Sequence, residues 1–299
     1  MPRVIAVATL LLIAALAALY LSGADRVVLA WAVESQREAQ NGIARGLRAL
    51  RGGEPAALGG FLAVCFAYGF FHAVGPGHGK MLIGGYGAAR AVGAVKLSAV
   101  ALASSLAQGA TAVALVAAGL WLWRIGRQEM TDLADRLLAP LSFGAIALVG
   151  IWLALRGLRG LIRAGQAADH GHHHHHHHDA TCCHAHAPDA GALAQATGWR
   201  DIALLIGAVA IRPCTGALFV LILTAQMGIF AFGIAGTFAM ALGTASVTVG
   251  TAIAAVTLRR GVLAGMTDSA ALARVQPLIE IVVGGLVAVL AISLALGAV

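Results

Sequence analysis

Phe71-His72-Ala73-Val74-Gly75-Pro76-Gly77-His78-Gly79-Lys80 closes an apolar run that begins near residue 56, and its reading decides how the chain is organised. Pro76 has no backbone N–H, and its ring collides with the carbonyl one turn earlier; the flanking glycines open conformations closed to other residues. A helix entering from residue 56 must therefore open here. The run before the break, 56–74, is close to the length that crosses a hydrocarbon core about 30 Å thick. Non-helical backbone at that depth survives only when it is buried in protein or faces a watery cavity.

Outward from this stretch the same texture continues. Of the 299 residues 60% are hydrophobic and 11% charged, and mean hydropathy is +0.86. A soluble domain carries about 25% charged residues, so too little polar side chain exists to cover a water-facing surface. Thirty-eight glycines suit close helix approach in lipid. Six spans are expected, roughly 56–74, 97–122, 139–158, 202–226, 233–257 and 277–298, with Pro55, Pro140 and Pro277 at or just before span starts, where a missing N–H costs nothing. Ahead of them, residues 4–21 read as an anchor or a signal-like helix, with an anchor favoured by the lack of a small-x-small cleavage site. Residues 22–55 read as an amphipathic extracytoplasmic segment.

The expected fold class is all-α, a polytopic membrane helix bundle with the N-terminal helix plus six spans in two inverted three-helix repeats. The halves are 56–163 and 201–299, separated by a hydrophilic loop at 164–200. Each first span is broken by proline, at Pro76 and again at Arg212-Pro213-Cys214-Thr215-Gly216. The second spans also match in character, with Ser104, Ser105, Gln108 and Thr111 beside Thr244, Ser246 and Thr248. Paired broken helices in inverted halves point to a transport site near the bilayer midplane.

The formal net charge of +7 does not imply nucleic acid, and no nucleic-acid partner is expected, because the arginines cap the apolar segments and form no separate face. They are topology signals. With the amino terminus inside, Lys and Arg divide eleven to eight in favour of the cytoplasmic side, which places the 164–200 loop in the cytoplasm. The cysteines form no secreted disulfide framework, since Cys65 and Cys214 lie in apolar segments and Cys182 and Cys183 are neighbours in the loop.

Three constellations carry chemistry. His72 and His78 flank the Pro76 opening, and imidazole suits nickel, cobalt, copper and zinc; the plainer alternative is two histidines satisfying neighbouring helices. In the second half, Arg212 and Glu280 are ionisable groups inside spans, which are costly and usually functional. They are candidates either for a structural ion pair or, at Glu280, for proton exchange against a metal. Cys214 reads as a soft ligand or a small packing residue, and the Ser, Thr and Gln residues as helix glue or path lining. The transport path is accordingly expected along Pro76, Gly77, Gly79, Lys80, Arg212, Cys214, Thr215, Thr244, Ser246 and Glu280. The third constellation is the loop, where His170, His172, His173, His174, His175, His176, His177 and His178 are followed by Cys182, Cys183, His184 and His186. Such tracts bind metal without a packed core, so this one is expected to capture metal with little selectivity.

The string HAVGPGHGK at 72–80 resembles the signature of the nickel/cobalt efflux (NicO, RcnA-type) family, and the resemblance extends over nearly all of residues 56–298. Residues 212–218, RPCTGAL, resemble that family's second motif. The resemblance implies an inner-membrane, multi-pass permease exporting Ni²⁺ or Co²⁺ without an ATPase domain, and a His-rich cytoplasmic loop. No GxxxxGK[ST] loop occurs, since Gly79-Lys80 is followed by Met81, and no hydrolase constellation is present. The chain is therefore expected to be no enzyme, to hold no permanent cofactor, and to draw on a proton gradient. Two rivals remain. One is uptake of the same metals. The other is a membrane thiol–disulfide electron carrier, against which Cys65 precedes Pro76 by eleven residues while Cys214 directly follows Pro213.

Overall fold

The computed structural model describes residues 21–54, 56–75, 77–120, 126–169, 198–264 and 269–297, and among these every regular element is a helix. The expected N-terminal anchor up to residue 20 and the His-rich tract at 170–197 lie outside the described residues. In chain order the helices are α1 (Ala24–Arg51), α2 (Ala57–Val74), α3 (His78–Ala89), α4 (Ala94–Ala118), α5 (Arg127–Leu133), a π-turn (Ala134–Leu138), α6 (Ala139–Asp169), α7 (Trp199–Ala210), α8 (Thr215–Gln226), α9 (Phe230–Ala264) and α10 (Ser269–Gly297). Five helical stretches are long and apolar enough to cross a membrane alone, and α7 with α8, bent by 62° across their break, would make a sixth.

Helix α1 is amphipathic as its sequence suggests, and it lies along α2 with Ala32, Ala39, Ile43 and Leu47 buried. Helix α2 stops at Val74, where Gly75 and Gly77 are both extended. The chain then resumes as α3, a helix that the sequence reading left as connection between spans. Leu82, Ile83, Tyr86 and Ala89 are buried on one face of it. Its glycines hid that face, yet they are what lets it pack: a Cβ at Gly87 would stand 2.5 Å from Leu97, and one at Gly85 2.7 Å from Val287. Small residues permit such approach in lipid, where water supplies no drive for association.

Two prolines sit differently from expectation. Pro277 is inside α10, which begins at Ser269, and its ring packs against Gly160 of α6. Pro140 follows the π-turn within one continuous helical run that begins at Arg127. The wider turn closes through Ala139 N–H to the carbonyl of Ala134, so the ladder shifts register just before the residue that cannot donate. Between α8 and α9 the reversal needs Gly228, at φ +74, whose N–H and that of Ile229 return to the carbonyls of Ala225 and Thr224.

The buried side chains form two apolar clusters. One joins α3, the first half of α4, α6, α7, the second half of α9 and α10, centred on Ile83, Ala101, Ile146 and Ala252. The other joins α1, α2, the second half of α4, α8 and the first half of α9, centred on Cys65, Ala112, Val220 and Met240. Between them, at the middle of α4 and α9 and at both helix breaks, the polar residues gather.

Candidate functional site

The first break, at 75–77, would strand the last carbonyls of α2, since no helix continues to donate to them. Lys80, from the first turn of α3, turns back to fill that role. Its Nζ donates to the carbonyl of Val74 at 3.0 Å and to that of Gly75. At the second break, 211–214, the carbonyl of Arg212 accepts from Gln108 Nε2 of α4 at 2.8 Å. Thr244 of α9 donates to the carbonyl of Gly69 at 3.2 Å, and Thr248 donates to the carbonyl of Thr244 at 2.6 Å. Residues that the sequence offers as helix glue thus tie the two broken helices to the two long ones.

The breaks and the long helices enclose one cavity of about 260 Å³. His72, Gly77, Gly79 and Lys80 line it from the first break and Arg212, Cys214 and Thr215 from the second, with Ser104, Ser105, Gln108, Thr244 and Thr248 between. His72 keeps an exposed side chain in this opening, although it ends a spanning helix. Ser104 is 1% exposed and its hydroxyl has no hydrogen-bond partner among the described residues, an unusual state for a buried polar group. Among the described residues no group of three or more His, Cys, Asp or Glu side chains could hold a metal ion. The cavity offers instead, among the described residues, one imidazole, one thiol, hydroxyls and an amide, beside the basic side chains of Lys80 and Arg212.

Not every expected path residue is here. Pro76 and the side chain of His78 lie outside the described residues, although His78 opens α3 beside the cavity. Ser246 turns away and donates to the carbonyl of Gly243 at 2.7 Å. Glu280 lies in a separate cleft, 4% exposed, 3.5 Å from Arg156 and close enough to Arg90 and Arg259 to feel their charge. Arg212 is therefore not paired with Glu280. Its guanidinium lies 3.9 Å from Asp135, in the π-turn, and over the ring of Phe143 at 5.1 Å.

With three arginines around it, Glu280 offsets part of a positive cluster drawn from α6, α9 and the residue that caps α3. Glu280→Gln is expected to destabilise the fold by about 2 kcal/mol, below the range for a wholly buried pair because Arg156 is 40% exposed. Thermal unfolding of the solubilised protein checks this, and an unchanged midpoint would remove the structural role.

Sequence reasoning missed Tyr68. Its ring lies parallel to that of His72, 6.0 Å away, its hydroxyl meets Gln36 of α1 at 3.4 Å, and a Cβ at Gly216 would stand 2.3 Å from it. One aromatic ring thus connects α1, the end of α2 and the start of α8. Its spacing of four from His72 on one helix was the available signal.

Against known proteins, the chain is 29% identical over a 192-residue alignment to a Haemophilus influenzae protein named "Putative nickel/cobalt efflux system", a match that covers 60% of this chain and 60% of that relative's own length. No solved structure matches the chain. A model of the family described as high-affinity nickel-transport protein matches residues 58–179 and 166–299, which take in both helix breaks, the cavity they enclose and the loop between the halves. Two broken apolar helices around a polar cavity, covered almost end to end by that model, place the chain in the NicO family, to which it belongs.

Proposed function

We propose that this chain is an inner-membrane permease that carries nickel and cobalt ions out of the cell in exchange for protons. The observation that carries the reading is the cavity joining the two helix breaks, with an exposed imidazole from one break and a thiol from the other. A divalent ion in transit must trade hydration water for protein donors, and imidazole and thiolate suit the late first-row metals. The sparse donor set fits passage better than storage, because a site that binds too well does not release. The relative's name favours efflux, and so does a His-rich tract on the cytosolic side, where His170, His172 to His178, Cys182, Cys183, His184 and His186 would gather cargo from the cytosol. The two halves would rock about the cavity as inverted three-helix repeats.

Lys80 is the better candidate for coupling than Glu280. It holds the carbonyls freed at the first break, while Glu280 is engaged outside the cavity. A dication entering the cavity meets the ammonium of Lys80 and the guanidinium of Arg212; among the described residues no carboxylate lines the wall, and Asp135, 3.9 Å from Arg212, offsets only the second of these charges. Release of one proton from Lys80 removes a charge and weakens the hold of its Nζ on the two carbonyl oxygens, so a bound metal ion and a protonated Lys80 disfavour each other. The thiol-carrier alternative is weaker, since Cys65 is wholly buried in an apolar cluster and, among the described cysteines, Cys214 alone lines the cavity.

The test is nickel and cobalt accumulation in everted membrane vesicles. Intact chain with an acidic lumen should concentrate the ion inside, a protonophore should abolish the gain, and Cys65→Ser should retain it. Accumulation into right-side-out cells instead would make the protein an importer, and slow equilibration indifferent to the gradient would remove the coupling.

A further inference from the structure

A second opening, about 490 Å³, lies between α6 and α10, apart from the cavity described above. Arg156, Arg159 and Arg163 of α6 enter it from positions i, i+3 and i+7, hence from one helix face. Glu280 is the carboxylate of the cleft, and it is taken up by Arg156 at 3.5 Å. Among the described residues Arg159 and Arg163, both exposed, have no carboxylate in ion-pair range. The floor is closed by near contact of the two backbones, where a Cβ at Gly157 would stand 2.6 Å from the carbonyl oxygen of Pro277. The ring of Trp152 lies within 5.8 Å of the Arg156 guanidinium.

Guanidinium forks match the oxygens of a phosphate group and bind it bidentately. The surroundings identify what carries the phosphate. The stretch of this helical run that is long and apolar enough to span a membrane, Gln128–Arg163, puts the row of arginines toward the end of the span, where basic residues and tryptophan are favoured at the headgroups. Beside them on α6 runs an exposed apolar stripe of Leu155, Leu158 and Ile162, and across the cleft α10 exposes Leu278 and Val282. Free phosphate has no use for such a stripe, whereas an acyl chain does. We infer that this cleft is a binding site for the phosphate headgroup of an anionic phospholipid, with its acyl chains along the α6 stripe. Basic pockets between spanning helices hold anionic headgroups by this chemistry.

The full chain is placed in phosphatidylcholine nanodiscs with or without phosphatidylglycerol, and retained lipid is counted by native mass spectrometry. Phosphatidylglycerol should be retained over phosphatidylcholine, and Arg159→Gln with Arg163→Gln should cut that retention at least fivefold. Arg45→Gln with Arg48→Gln, an equal loss of charge on exposed α1 positions, should leave it intact. Arg163→Gln alone, at the exposed end of the row, should give a smaller loss if the double variant does not fold. Equal retention in all variants overturns the site. Displacement of the lipid by millimolar inorganic phosphate, or protection of the protein by phosphate alone, overturns the lipid as its occupant.

Discussion

Replacing His72 by alanine should bring nickel and cobalt movement down to the background of vesicles lacking the protein, while the protein stays folded. His72 is the imidazole that the described cavity contains, at the last turn of α2 before the break. Alanine keeps the helix, having the best propensity of any residue, so α2 should still end at Val74. Lys80 should still hold the carbonyls of Val74 and Gly75, since its bonds do not involve the imidazole. What goes is one nitrogen donor from a set that is already sparse. Losing even an outer-shell partner of a metal ligand costs about 10–100-fold in affinity or activity, and loss of the donor itself should reach at least the upper part of that range. Tyr68→Phe supplies the graded comparison. It keeps the ring stacked on His72 but removes the hydroxyl bound by Gln36, so a several-fold fall is expected. Initial rates of metal entry into everted vesicles, normalised to folded protein, decide between these outcomes. Normal rates with His72→Ala would take the imidazole off the path and leave the cavity without its defining donor.

Both breaks were legible in the sequence because proline and glycine act locally. Pro76 with Gly75 and Gly77 announces an opening whatever surrounds it, and so does Pro213 between Arg212 and Cys214. The polar residues that serve the breaks were legible too, since Gln108 and Thr244 stand out in apolar helices. What escaped was set by approach between distant segments. Helix α3 reads as a glycine-rich connection until Leu97 and Val287 are seen packed where side chains at Gly87 and Gly85 would be. Asp135 falls between the expected spans 97–122 and 139–158 and drew no reading there, yet in the π-turn it stands 3.9 Å from Arg212. Glu280 was the carboxylate that drew attention inside a span, but Arg156 and Arg259 come from two other helices and Arg90 from the end of a third, and their convergence on it is a tertiary fact. A lone charge in an apolar run says that a partner exists without saying which.

Gly243→Leu should damage the bundle severely. At this crossing α9 lies so close to α2 that a Cβ at residue 243 would stand 2.1 Å from the carbonyl oxygen of Phe66, and one at Gly69 would stand 2.0 Å from that of Met240. The obstruction on both sides is backbone, which cannot turn aside as a side chain can. The helices must therefore part by more than an ångström along a packed seam. Overpacking a core costs about 1–3 kcal/mol when side chains can adjust, and here the cost should be at or above the top of that range. Thr244 follows Gly243 directly and donates to the carbonyl of Gly69 at 3.2 Å, so the same movement breaks the bond that holds α9 against α2 three residues before His72. Stability and transport should fall together, since one crossing sets both the packing and the cavity wall. Gly250→Leu on the same helix is the internal control, because nothing lies within 4 Å of its added Cβ. There the change should stay within about 1 kcal/mol, the scale of helix propensity alone. Unfolding midpoints of the two variants in one detergent separate the cases. Equal midpoints would mean that α2 and α9 are not packed through Gly69 and Gly243, and the wall built on that contact would have to be redrawn.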